Sequence, residues 1–421
     1  MKRFLTLCIG ALCSVVATAQ ISISSNGAYL QLTGSSVHGV DAVILFNGIT
    51  AATELTCTQS GTVQWNKHDG SFYSNAATIS PEDDTGYILL VDGRKVAFVW
   101  IFDYARYSIT FNAFAPNDPQ PDACQTLSLN VDLTAPDLTY TDTLGVRQVL
   151  PRTMTLHYDK YTFNNTNTWT LIPTDTTIRL SLTTIVLGAP KADTHFVLQG
   201  DDYAIQMGLT PDSIVCDYTA VAVEIHPQGT IQERDALNEL NRSSDKEISG
   251  SAPLMVDFEA RSNTPTAAYH EWLIYNTETP NRYIRYNDIN FRYIFRETGS
   301  YVARLVANSV GECKAIDSLH ITVRESFIDV PNVFTPNNDG INDEFRIAYR
   351  SIKRYSIVVV NRWGVVVYRS SDPTKGWDGR INGHPAAEGT YYYMIEAYGT
   401  DKNSKGKDIR YKLSGDINLM R

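Results

Sequence analysis

The sequence predicts an all-β protein, organised as a tandem array of antiparallel β-sandwich domains. Residues that favour strands are abundant, with 24 Tyr alone, whereas long helical patterns of Leu, Ala, Glu and Lys are scarce. Short segments alternate apolar and polar residues, and turn-forming residues separate them at short intervals. Because 421 residues exceed what one hydrophobic core organises, we expect roughly three or four domains of about 100 residues each.

Residues 1–19 have the pattern of a secretory signal peptide. Two basic residues precede an apolar run over residues 4–16, and Ala17-Thr-Ala19 supplies the small residues of a cleavage site. We therefore expect an exported protein whose mature chain begins at Gln20. No later stretch approaches the roughly 18 consecutive apolar residues of a membrane helix, so the mature chain is predicted to have no membrane span of its own.

The mature chain is acidic, and its charge is unevenly distributed. It has 34 Lys or Arg against 46 Asp or Glu, whereas the part from Pro331 onward has 14 against 10. Nucleic-acid binding depends on neutralising phosphates, so the acidic surface predicts no nucleic-acid partner. The mildly basic tail indicates either a separate partner or an ordinary solvated face.

Four cysteines remain in the mature chain, and they are far apart: Cys57, Cys124, Cys216 and Cys313. No pair has the short spacing of a metal site or a redox motif. In an exported protein they allow one disulfide, for which Cys57 and Cys124 are the nearest candidates. The favoured alternative is that the cysteines are buried as small apolar thiols.

Residues 20–122 alternate as short strands separated by turn signals. Cys57, Trp65 and the turn Asp84-Thr-Gly-Tyr87 occur in the order of a strand cysteine, a core Trp and a tyrosine corner. In this order the segment resembles an immunoglobulin-like sandwich. Leu89 stands where that family has its second disulfide cysteine, so the family's disulfide does not carry over to this chain.

The next boundaries follow from composition. The last strand expected in the first module is Ser108-Ile-Thr-Phe111, and a Pro- and Asp-rich joint over residues 115–122 is expected to end that module. Residues 123–228 repeat the alternation and predict a second immunoglobulin-like sandwich. Residues 229–251 break the alternation and indicate a linker, in which three apolar residues have the spacing of one short helix: Ile231, Leu237 and Leu240.

Residues 252–326 contain Tyr269-His-Glu-Trp272 and the turn Thr298-Gly-Ser-Tyr301, which leads into an alternating strand. These motifs resemble the PKD-like sandwich, named after repeats of the polycystic kidney disease protein. The Trp-Asp-Phe-Gly-Asp-Gly motif of that family is missing, because Trp272 is followed by Leu273-Ile-Tyr-Asn276. The resemblance therefore implies a spacer or a contact surface.

The tail, residues 331–421, holds the densest set of motifs in the chain. Two apolar runs flank Asn361-Arg-Trp-Gly364 and predict a hairpin with a four-residue loop. Tyr391-Tyr-Tyr393 and Tyr283-Ile-Arg-Tyr286 indicate either rings presented outward or the commoner cross-strand packing. The final strand alternates, with its apolar face formed by Leu413, Gly415, Ile417 and Leu419.

The chain is therefore predicted to end as a core strand. Burial of each such aliphatic side chain contributes about 1.5 to 3 kcal/mol, so truncation of this strand should unfold the domain.

Five motifs of the tail, in this order, resemble the gliding-motility-associated C-terminal domain, also described as the type B sorting domain of the type IX secretion system of Bacteroidetes. The residues that carry the resemblance, and to which it assigns recognition by the translocon, are Pro331, Asn332, Phe334, Pro336, Asn338, Asp339, Gly340, Asn342, Asp343, Asn361, Arg362, Trp363, Gly364, Trp377, Asp378, Gly379, Gly389, Thr390 and Tyr391. The family has Asn-Gly-Asp-Gly where this chain has Asn337-Asn-Asp-Gly340, a departure that removes one glycine from the loop.

The resemblance also implies a route and partners. The protein would cross the periplasm, and the folded tail would then be recognised by the type IX secretion translocon and its outer-membrane shuttle protein. The final location would be the outer membrane, the cell surface or the medium.

The loop over residues 337–343 is the candidate metal site. Oxygen-bearing side chains surround a glycine, as Ca²⁺ requires, at Asn337, Asp339, Asn342 and Asp343. The favoured alternative is a turn, because the same residue types form turns for conformational reasons. No other metal or cofactor is expected, since the eight histidines are scattered singly.

The sequence contains no nucleophile elbow, no P-loop and no paired metal-binding histidines, so we expect no enzyme. The expected function is that of a non-catalytic, modular exported protein whose upstream β domains contact other envelope or surface proteins. Such a protein would be either retained at the translocon as a secretion-linked signalling component or displayed as an adhesin. The alternative is a secreted hydrolase acting on glycans, with its site inside one sandwich.

Overall fold

The chain is almost entirely β-structure, which confirms the predicted fold class. The computed structural model describes residues 16–18, 20–233, 236–240, 248–403 and 405–421. They form two compact units: unit 1 contains residues up to 164 with 169–220, and unit 2 contains 165–168 with 221–421. The helices among the described residues are one α-helix, α1, and two 3₁₀ turns: Asp202–Gln206, Gly34–Ser36 and Tyr104–Arg106.

Most of the predicted signal peptide lies outside the described residues, which include neither residues 1–15 nor residue 19. Strand β1, Val16–Thr18, pairs antiparallel with β2, Ile21–Ser24. None of the described helices has both the length and the apolar composition needed to cross a membrane.

The first module of unit 1 is a sandwich of two sheets. Its further strands are β3 Tyr29–Thr33, β4 Ala42–Phe46, β5 Glu54–Cys57, β6 Val63–Lys67, β7 Phe72–Ser74, β8 Thr78–Ile79, β9 Thr85–Val91 and β10 Arg94–Asp103. One sheet has the order β1-β2-β5-β8, and the other has the order β3-β4-β10-β9-β6-β7. Strands β4 and β10 are parallel, and both sheets contribute side chains to one core.

The predicted core Trp and tyrosine corner are present in this module. Trp65 and Tyr87 are fully buried, and the indole N–H of Trp65 donates to the carbonyl of Ala76 at 3.1 Å. The Tyr87 hydroxyl accepts a hydrogen bond from the backbone N–H of Glu82 at 2.9 Å, which fixes the turn before β9. Leu89, which stands where the immunoglobulin-like family has its second disulfide cysteine, is fully buried. Apolar packing therefore takes the place of the disulfide at this position.

Strand β4 is buried on both faces, as its uninterrupted apolar sequence requires. Ala42, Ile44 and Phe46 lie in the core of the first sandwich. Val43 and Leu45 point into a second core, which also contains side chains of the following module such as Leu138, Tyr140 and Tyr203. The first two modules of unit 1 therefore share a hydrophobic core.

The second module contains three sheets. Its strands are β11 Thr110–Pro116, β12 Thr126–Thr134, β13 Thr139–Thr141, β14 Arg147–Val149, β15 Thr153–Phe163, β16 Trp169–Arg179, β17 Thr184–Gly188, β18 Thr194–Gly200 and β19 Asp212–Tyr218. The sheet orders are β11-β12-β17, β13-β14 and β16-β15-β18-β19. A core cluster of buried side chains lies within this module, with Leu127, Leu129, Met154, Phe196 and Leu198 fully buried.

Two local expectations for this region are corrected. The strand expected to close the first module belongs instead to the second, because β11 pairs antiparallel with β12. Of the expected joint, residues 115–116 end β11 and residues 117–122 lie in the connection between the paired strands, so the joint does not connect modules. The Gln120 side chain holds it in place by donating to the carbonyls of Asn117 and Ser128, both at 2.8 Å. Pro and Asp residues serve hairpin loops as well as linkers, so composition could not separate the two cases.

The candidate Cys57–Cys124 disulfide is wrong, and the favoured alternative of buried thiols holds for Cys57 and Cys216. Cys57 is a buried free thiol, as is Cys216, and burial raises the pKa of the Cys216 thiol to about 11. Cys124 and Cys313 are each part of a disulfide, so the alternative of buried thiols fails for these two. Proximity along the sequence was a poor guide, because disulfide formation depends on the distance between Cα atoms in the fold.

A buried ion pair lies where the modules of unit 1 meet. The Arg152 Nε and a carboxylate oxygen of Asp201 are 2.5 Å apart, and both side chains are almost completely buried. The other guanidinium nitrogens donate to the carbonyls of Pro136 at 2.9 Å and Tyr107 at 2.7 Å. The second Asp201 oxygen accepts from the Tyr104 hydroxyl. The network connects the 3₁₀ turn after β10 with β15 and the start of α1.

Replacing Arg152 with Met should leave the Asp201 carboxylate buried without its partner. We expect the free energy of unfolding of unit 1 to fall by about 3 to 5 kcal/mol. Urea denaturation of the mature chain, followed by hydrogen exchange of the unit 1 amides, measures the change.

The matched control is the double variant Arg152→Met with Asp201→Leu, in which no buried charge remains. It should recover most of the lost stability. If the single variant were as stable as the parent chain, the pair would not be a stabilising connection between the modules.

Unit 2 begins with the third module, which is again a sandwich. Its strands are β20 Gln228–Ile231, β21 Ile248–Gly250, β22 Leu254–Glu259, β23 Tyr269–Asn276, β24 Tyr283–Tyr286, β25 Asn290–Phe295, β26 Gly299–Asn308 and β27 Lys314–Val323. The sheets have the orders β20-β22-β25 and β21-β27-β26-β23-β24. Trp272 and Phe258 are fully buried in the core, with ring centroids 5.6 Å apart.

The strand predicted after residues 298–301 is present as β26, but it already begins at Gly299, so three of the four residues predicted as a turn belong to the strand. The short helix expected in residues 229–251 is not found in the described part of that segment. Both ends of the segment are strands of the third module, since β20 pairs with β22 and β21 pairs with β27. Ile231 packs on the core from β20, so tertiary burial overrides its helical spacing. Residues 234–235 and 241–247 lie outside the described residues.

The tail domain follows, with a five-stranded sheet. Its strands are β28 Phe327–Asp329, β29 Val333–Phe334, β30 Ala348–Arg350, β31 Ile352–Val360, β32 Val366–Ser370, β33 Arg380–Ile381, β34 His384–Pro385, β35 Gly389–Lys402 and β36 Asp408–Leu419. The sheet has the order β29-β36-β35-β31-β32. Strands β31 and β32 form the predicted hairpin around residues 361–364, and the final strand has Ile417 and Leu419 fully buried, as predicted.

Within unit 2, Ser351 joins the tail to the third module. Its N–H donates to the Ser251 hydroxyl at 2.7 Å, and its own hydroxyl donates to the Arg324 carbonyl at 2.6 Å. The hydroxyl also accepts from the Ala252 N–H at 3.0 Å, and the Ser351 carbonyl accepts from Thr400 N–H at 2.9 Å. Ser351 is completely buried and has a φ of +52°, so one residue connects four segments.

Substituting Leu419 with Ala removes a buried side chain from the last strand. Because a cavity adds to the lost transfer free energy, we expect the tail to lose about 2 to 5 kcal/mol of stability. Ser414→Ala, an exposed change on the same strand, is the control and should shift stability by less than about 0.5 kcal/mol. Thermal unfolding of the mature chain compares the two. Equal stability of both variants would contradict the burial of the chain end.

Candidate functional site

The tail motifs first build an aromatic core. The Phe334 and Trp377 ring centroids are 5.4 Å apart, and those of Trp377 and Tyr391 are 4.9 Å apart with the rings nearly perpendicular. All three side chains are buried, and burial raises the pKa of the Tyr391 hydroxyl. The indole N–H of Trp377 donates to the Arg380 carbonyl at 2.9 Å, and the Tyr391 hydroxyl donates to the Ala387 carbonyl at 2.8 Å.

Gly379 is required at this core for two reasons. Its φ of +68° lies in the left-handed region that favours glycine. A Cβ at this position would also lie 2.8 Å from Pro336 Cγ. The motif residues of this corner are therefore selected for packing, and their side chains are not available to a partner.

The chain end closes the same corner. The guanidinium of Arg421 donates to the carbonyls of Ala386 at 2.6 Å and Gly379 at 3.2 Å. Strand β36 is bonded on one side to β35 and on the other, in parallel, to β29. The residues up to Arg421 are thus part of the folded domain.

The acidic loop over residues 337–343 is exposed and ordered by its own hydrogen bonds. The Asp343 carboxylate accepts the backbone N–H groups of Asn338 at 2.7 Å and Gly340 at 2.8 Å. The Asp339 carboxylate accepts from the Ile341 N–H at 2.8 Å and from the Asn337 side-chain amide at 2.9 Å. These are the contacts of an Asx-type turn. Across the described residues no group of three or more His, Cys, Asp or Glu is arranged to hold a metal ion.

The turn between β31 and β32 presents an aromatic ring to solvent. The Asn361 side chain accepts from the N–H groups of Trp363 at 3.1 Å and Val365 at 3.0 Å, and Gly364 has a φ of +79°. Trp363 is 71% exposed. The Arg362 guanidinium lies over its ring, 4.2 Å from the centroid, so a cation and an aromatic ring are held together at the surface.

The predicted recognition residues therefore divide into three groups, which are buried, exposed or half-buried. Phe334, Trp377, Gly379 and Tyr391 lie inside the tail domain, whereas the larger group is wholly or largely exposed, in loops and at strand ends: Pro331, Asn332, Asn338, Asp339, Gly340, Asn342, Arg362, Trp363, Gly364, Asp378, Gly389 and Thr390. Pro336, Asp343 and Asn361 are half-buried. The motifs are spread over several surfaces and do not form a single cluster.

A surface that the motifs did not indicate lies on the five-stranded sheet. We call it the outer face, and it is centred on Val358, Val360, Val366, Tyr392 and Met394. Tyr392 is 47%, Met394 53% and Val366 39% exposed. Met394 lies directly opposite Val358, and Tyr392 and Val366 both lie opposite Val360, so residues from three strands form one apolar area.

The three consecutive tyrosines at 391–393 were the sequence signal for this face. Their side chains alternate, with Tyr391 buried, Tyr392 exposed and Tyr393 partly buried against the core. Of these three rings, only that of Tyr392 points to solvent. Of the second predicted tyrosine pair, Tyr283 is exposed, but Tyr286 stacks on Phe291 with centroids 4.2 Å apart.

Beyond this apolar area, around Tyr398, the outer face carries charged side chains. Arg354 and Arg410 lie on either side of the Tyr398 ring, with guanidinium carbons 4.1 and 5.7 Å from its centroid. The Tyr398 hydroxyl and the Arg410 guanidinium both donate to Glu396, at 2.8 and 2.5 Å, and these bonds lower the pKa of the Glu396 carboxyl. The charged end is a paired surface network, and its charges are largely satisfied within it.

Unit 1 contains a cleft of about 780 Å³, which bears on the alternative of a glycan hydrolase. It is lined by strand β3 and by residues such as His38, Tyr140, Gln148, Asp202 and Tyr203. A glycosidase requires two carboxylates flanking the bond to be cleaved. Asp202 is the sole carboxylate among the described residues that line the cleft, and it already accepts a hydrogen bond from Thr153.

Comparison with known proteins identifies two domains. Residues 328–409 match the CHU_C Type IX secretion signal domain, and residues 116–215 match the fibronectin type III domain Fn3_FA. The resemblance of the tail to a secretion domain is thereby confirmed. The chain carries a type IX secretion signal domain at its C-terminal end and an immunoglobulin-like fibronectin type III domain upstream. No curated protein matches the chain.

Three solved structures show distant similarity. A tetra-tandem repeat in the extending region of a large adhesion protein is 9% identical and covers 89% of this chain and 98% of its own, with a TM-score of 0.23. Dimeric latent PorU from Porphyromonas gingivalis is 12% identical, over 78% of this chain and 36% of its own, with a TM-score of 0.15. A 1.5-MDa bacterial ice-binding adhesin is 7% identical, over 74% and 98%, with a TM-score of 0.20. At these TM-scores the similarities carry no argument about this chain.

If the acidic loop is a turn held by its own hydrogen bonds, the stability of the loop should depend on pH. Hydrogen bonds from the Ile341 N–H and the Asn337 amide lower the pKa of Asp339 below its ordinary value of 3.8. This carboxylate therefore stabilises the loop above about pH 4, and the stabilisation is lost as the pH falls through the lowered pKa. The NMR shift and the exchange rate of the Ile341 amide should report this loss.

The control for this loop is Asp339→Asn, whose side-chain oxygen still accepts hydrogen bonds but does not titrate. Its Ile341 amide should show no change over the same pH range. Millimolar Ca²⁺ should leave the thermal unfolding of both chains unchanged. A clear rise in the unfolding temperature of the parent chain with Ca²⁺ would instead identify the loop as a cation site.

Proposed function

We propose that the protein is a non-catalytic exported protein whose C-terminal domain is recognised, in its folded form, by the type IX secretion translocon and its outer-membrane shuttle protein. The match of residues 328–409 to a type IX secretion signal domain carries this proposal. The folded-state requirement rests on the chain end, because Leu419 is a core residue and Arg421 binds two backbone carbonyls. A partner that needed a free terminal peptide would have to unfold the domain first.

The upstream modules supply contact surface in this proposal. They are β-sandwiches, the first two share a hydrophobic core, and one of them is a fibronectin type III domain. Their described residues contain no metal cluster, and the cleft of unit 1 has one lining carboxylate. These observations favour binding to other envelope or surface proteins over hydrolysis of glycans.

Two final locations fit this function, retention at the translocon as a secretion-linked signalling component and display at the surface as an adhesin. Fractionation of cells that express the full chain separates them. Retention predicts co-purification with translocon subunits from the outer membrane, whereas display predicts cleavage by protease added to intact cells without such co-purification.

The sorting role is tested by removing the tail. In cells that carry a type IX system, the full chain should reach the surface or the medium, whereas a chain ending at Arg324 should accumulate in the periplasm. Limited proteolysis of the shortened chain checks that its remaining modules are folded. Equal export of the two chains, or retention of both in the periplasm, would contradict the proposal.

A further inference from the structure

We infer that the outer face of the tail sheet is the surface that docks on the secretion machinery, and that the docking partner is a protein with an apolar centre bordered by carboxylates. This inference rests on the proposed recognition of the folded tail. It specifies which surface is recognised and the chemistry of the surface that meets it.

The apolar centre is the first argument. A sheet with one solvated face normally alternates apolar residues inward and polar residues outward. Strand β35 departs from this rule over Tyr392 and Met394, whose side chains are about half exposed, and their cross-strand neighbours Val358 and Val360 are also apolar. One strand further, Val366 extends the apolar area. An exposed apolar area that spans three strands is typical of an interaction site.

The turn at the end of β31 adds the side chains that dominate protein interfaces. Trp363 lies between Val360 and Val366 in the chain and is 71% exposed, with the Arg362 guanidinium stacked on its ring. Trp, Tyr, Met and Arg are enriched in the centres of interfaces, and Trp, Tyr and Arg dominate their energetic hot spots. Trp363 and Tyr392 are thus the expected anchors of this surface.

Unpaired cations border the apolar centre. Arg369 lies directly opposite Val358 on the edge strand β32, and Lys412 lies opposite Glu396 on β36. Both are exposed, and neither forms a salt bridge with another described residue. Asp416, opposite Tyr392, is the carboxylate nearest to this centre in the strand register. Arg362, Arg369 and Lys412 therefore give the border an excess of positive charge.

The charges around the apolar centre indicate the chemistry of the partner. Three cations around an apolar centre are too few for a phosphate polymer, whose binding depends on neutralising many charges. Carboxylates on a partner protein would pair with the three cations and steer association, while the apolar centres would exclude water. The tail is also the basic part of an otherwise acidic chain, with 14 Lys or Arg against 10 Asp or Glu, so complementary charge on the partner is acidic.

Export of the full chain tests the face through two double variants. Tyr392→Thr with Met394→Thr removes the apolar centre while keeping strand-forming residues. Arg369→Glu with Lys412→Thr reverses one border charge and removes the other, without placing a second carboxylate opposite Glu396. We expect each to lower the exported fraction by about tenfold or more, and Arg369→Lys with Lys412→Arg, which keeps both charges, to be exported close to normally. Because all four positions are exposed, the thermal unfolding midpoint should stay within about 2 °C of the parent chain.

Two matched controls remove exposed apolar side chains elsewhere in unit 2. Val310→Thr lies in the third module, and Ile341→Thr lies in the acidic loop of the tail. Both should be exported as well as the parent chain. Loss of export in Ile341→Thr with normal export of the face variants would place recognition on the loop and overturn the inference.

The remaining outcomes separate this inference from the proposed function. If the chain ending at Arg324 is retained but both face variants are exported normally, the tail directs export through another surface and the inference fails alone. If the chain ending at Arg324 is exported, the proposed function itself fails. If the charge variant is exported normally and the apolar variant is not, the inferred carboxylates around the partner's apolar centre are wrong. A purified parent chain that sediments as a dimer, with the apolar variant monomeric, would make a second copy the occupant and overturn the assignment to the machinery.

Discussion

Pairing of the last strand with its neighbours is the constraint on which the tail domain depends. Strand β36 pairs with β35 along most of its length, and its end at Asn418 and Leu419 lies between β35 and β29. Ile417 and Leu419 complete the core, and Arg421 binds the loop that carries Trp377 and Gly379. Without this strand neither the aromatic core nor the outer face would have a fixed geometry.

The tail is also held against the module before it. Ser351 uses its N–H, its carbonyl and its hydroxyl to join segments of both parts of unit 2. Because Ser351 is completely buried, these hydrogen bonds are protected from competition with water. The third module therefore acts as a support for the secretion domain. Unit 1 has a comparable connection in the buried Arg152–Asp201 pair, so polar networks join successive modules in both units.

The motifs of the tail were recognised correctly, but their physical roles differ. Phe334, Trp377 and Tyr391 are characteristic because they pack on one another, whereas the acidic loop and the turn around Trp363 carry their motifs to the surface. The outer face contains Val358 and Met394, which no motif included. A family motif includes the residues that the fold needs for packing as well as any residues that contact a partner. Sequence similarity to a family therefore identified the domain without identifying its binding surface.

The sequence by itself determined the strands, the all-β class and the burial pattern of single elements such as β4 and β36, because the alternation of apolar residues is a local property with a period of two. It also determined the secretion domain. The tertiary structure decided which strands pair, and so placed β11 in the second module and β20 in the third. It decided that Cys57 stays free and that the side chains of Val366, Val360, Tyr392 and Met394 share one face. These features depend on contacts between residues far apart in the chain, and such contacts leave no local pattern in the sequence.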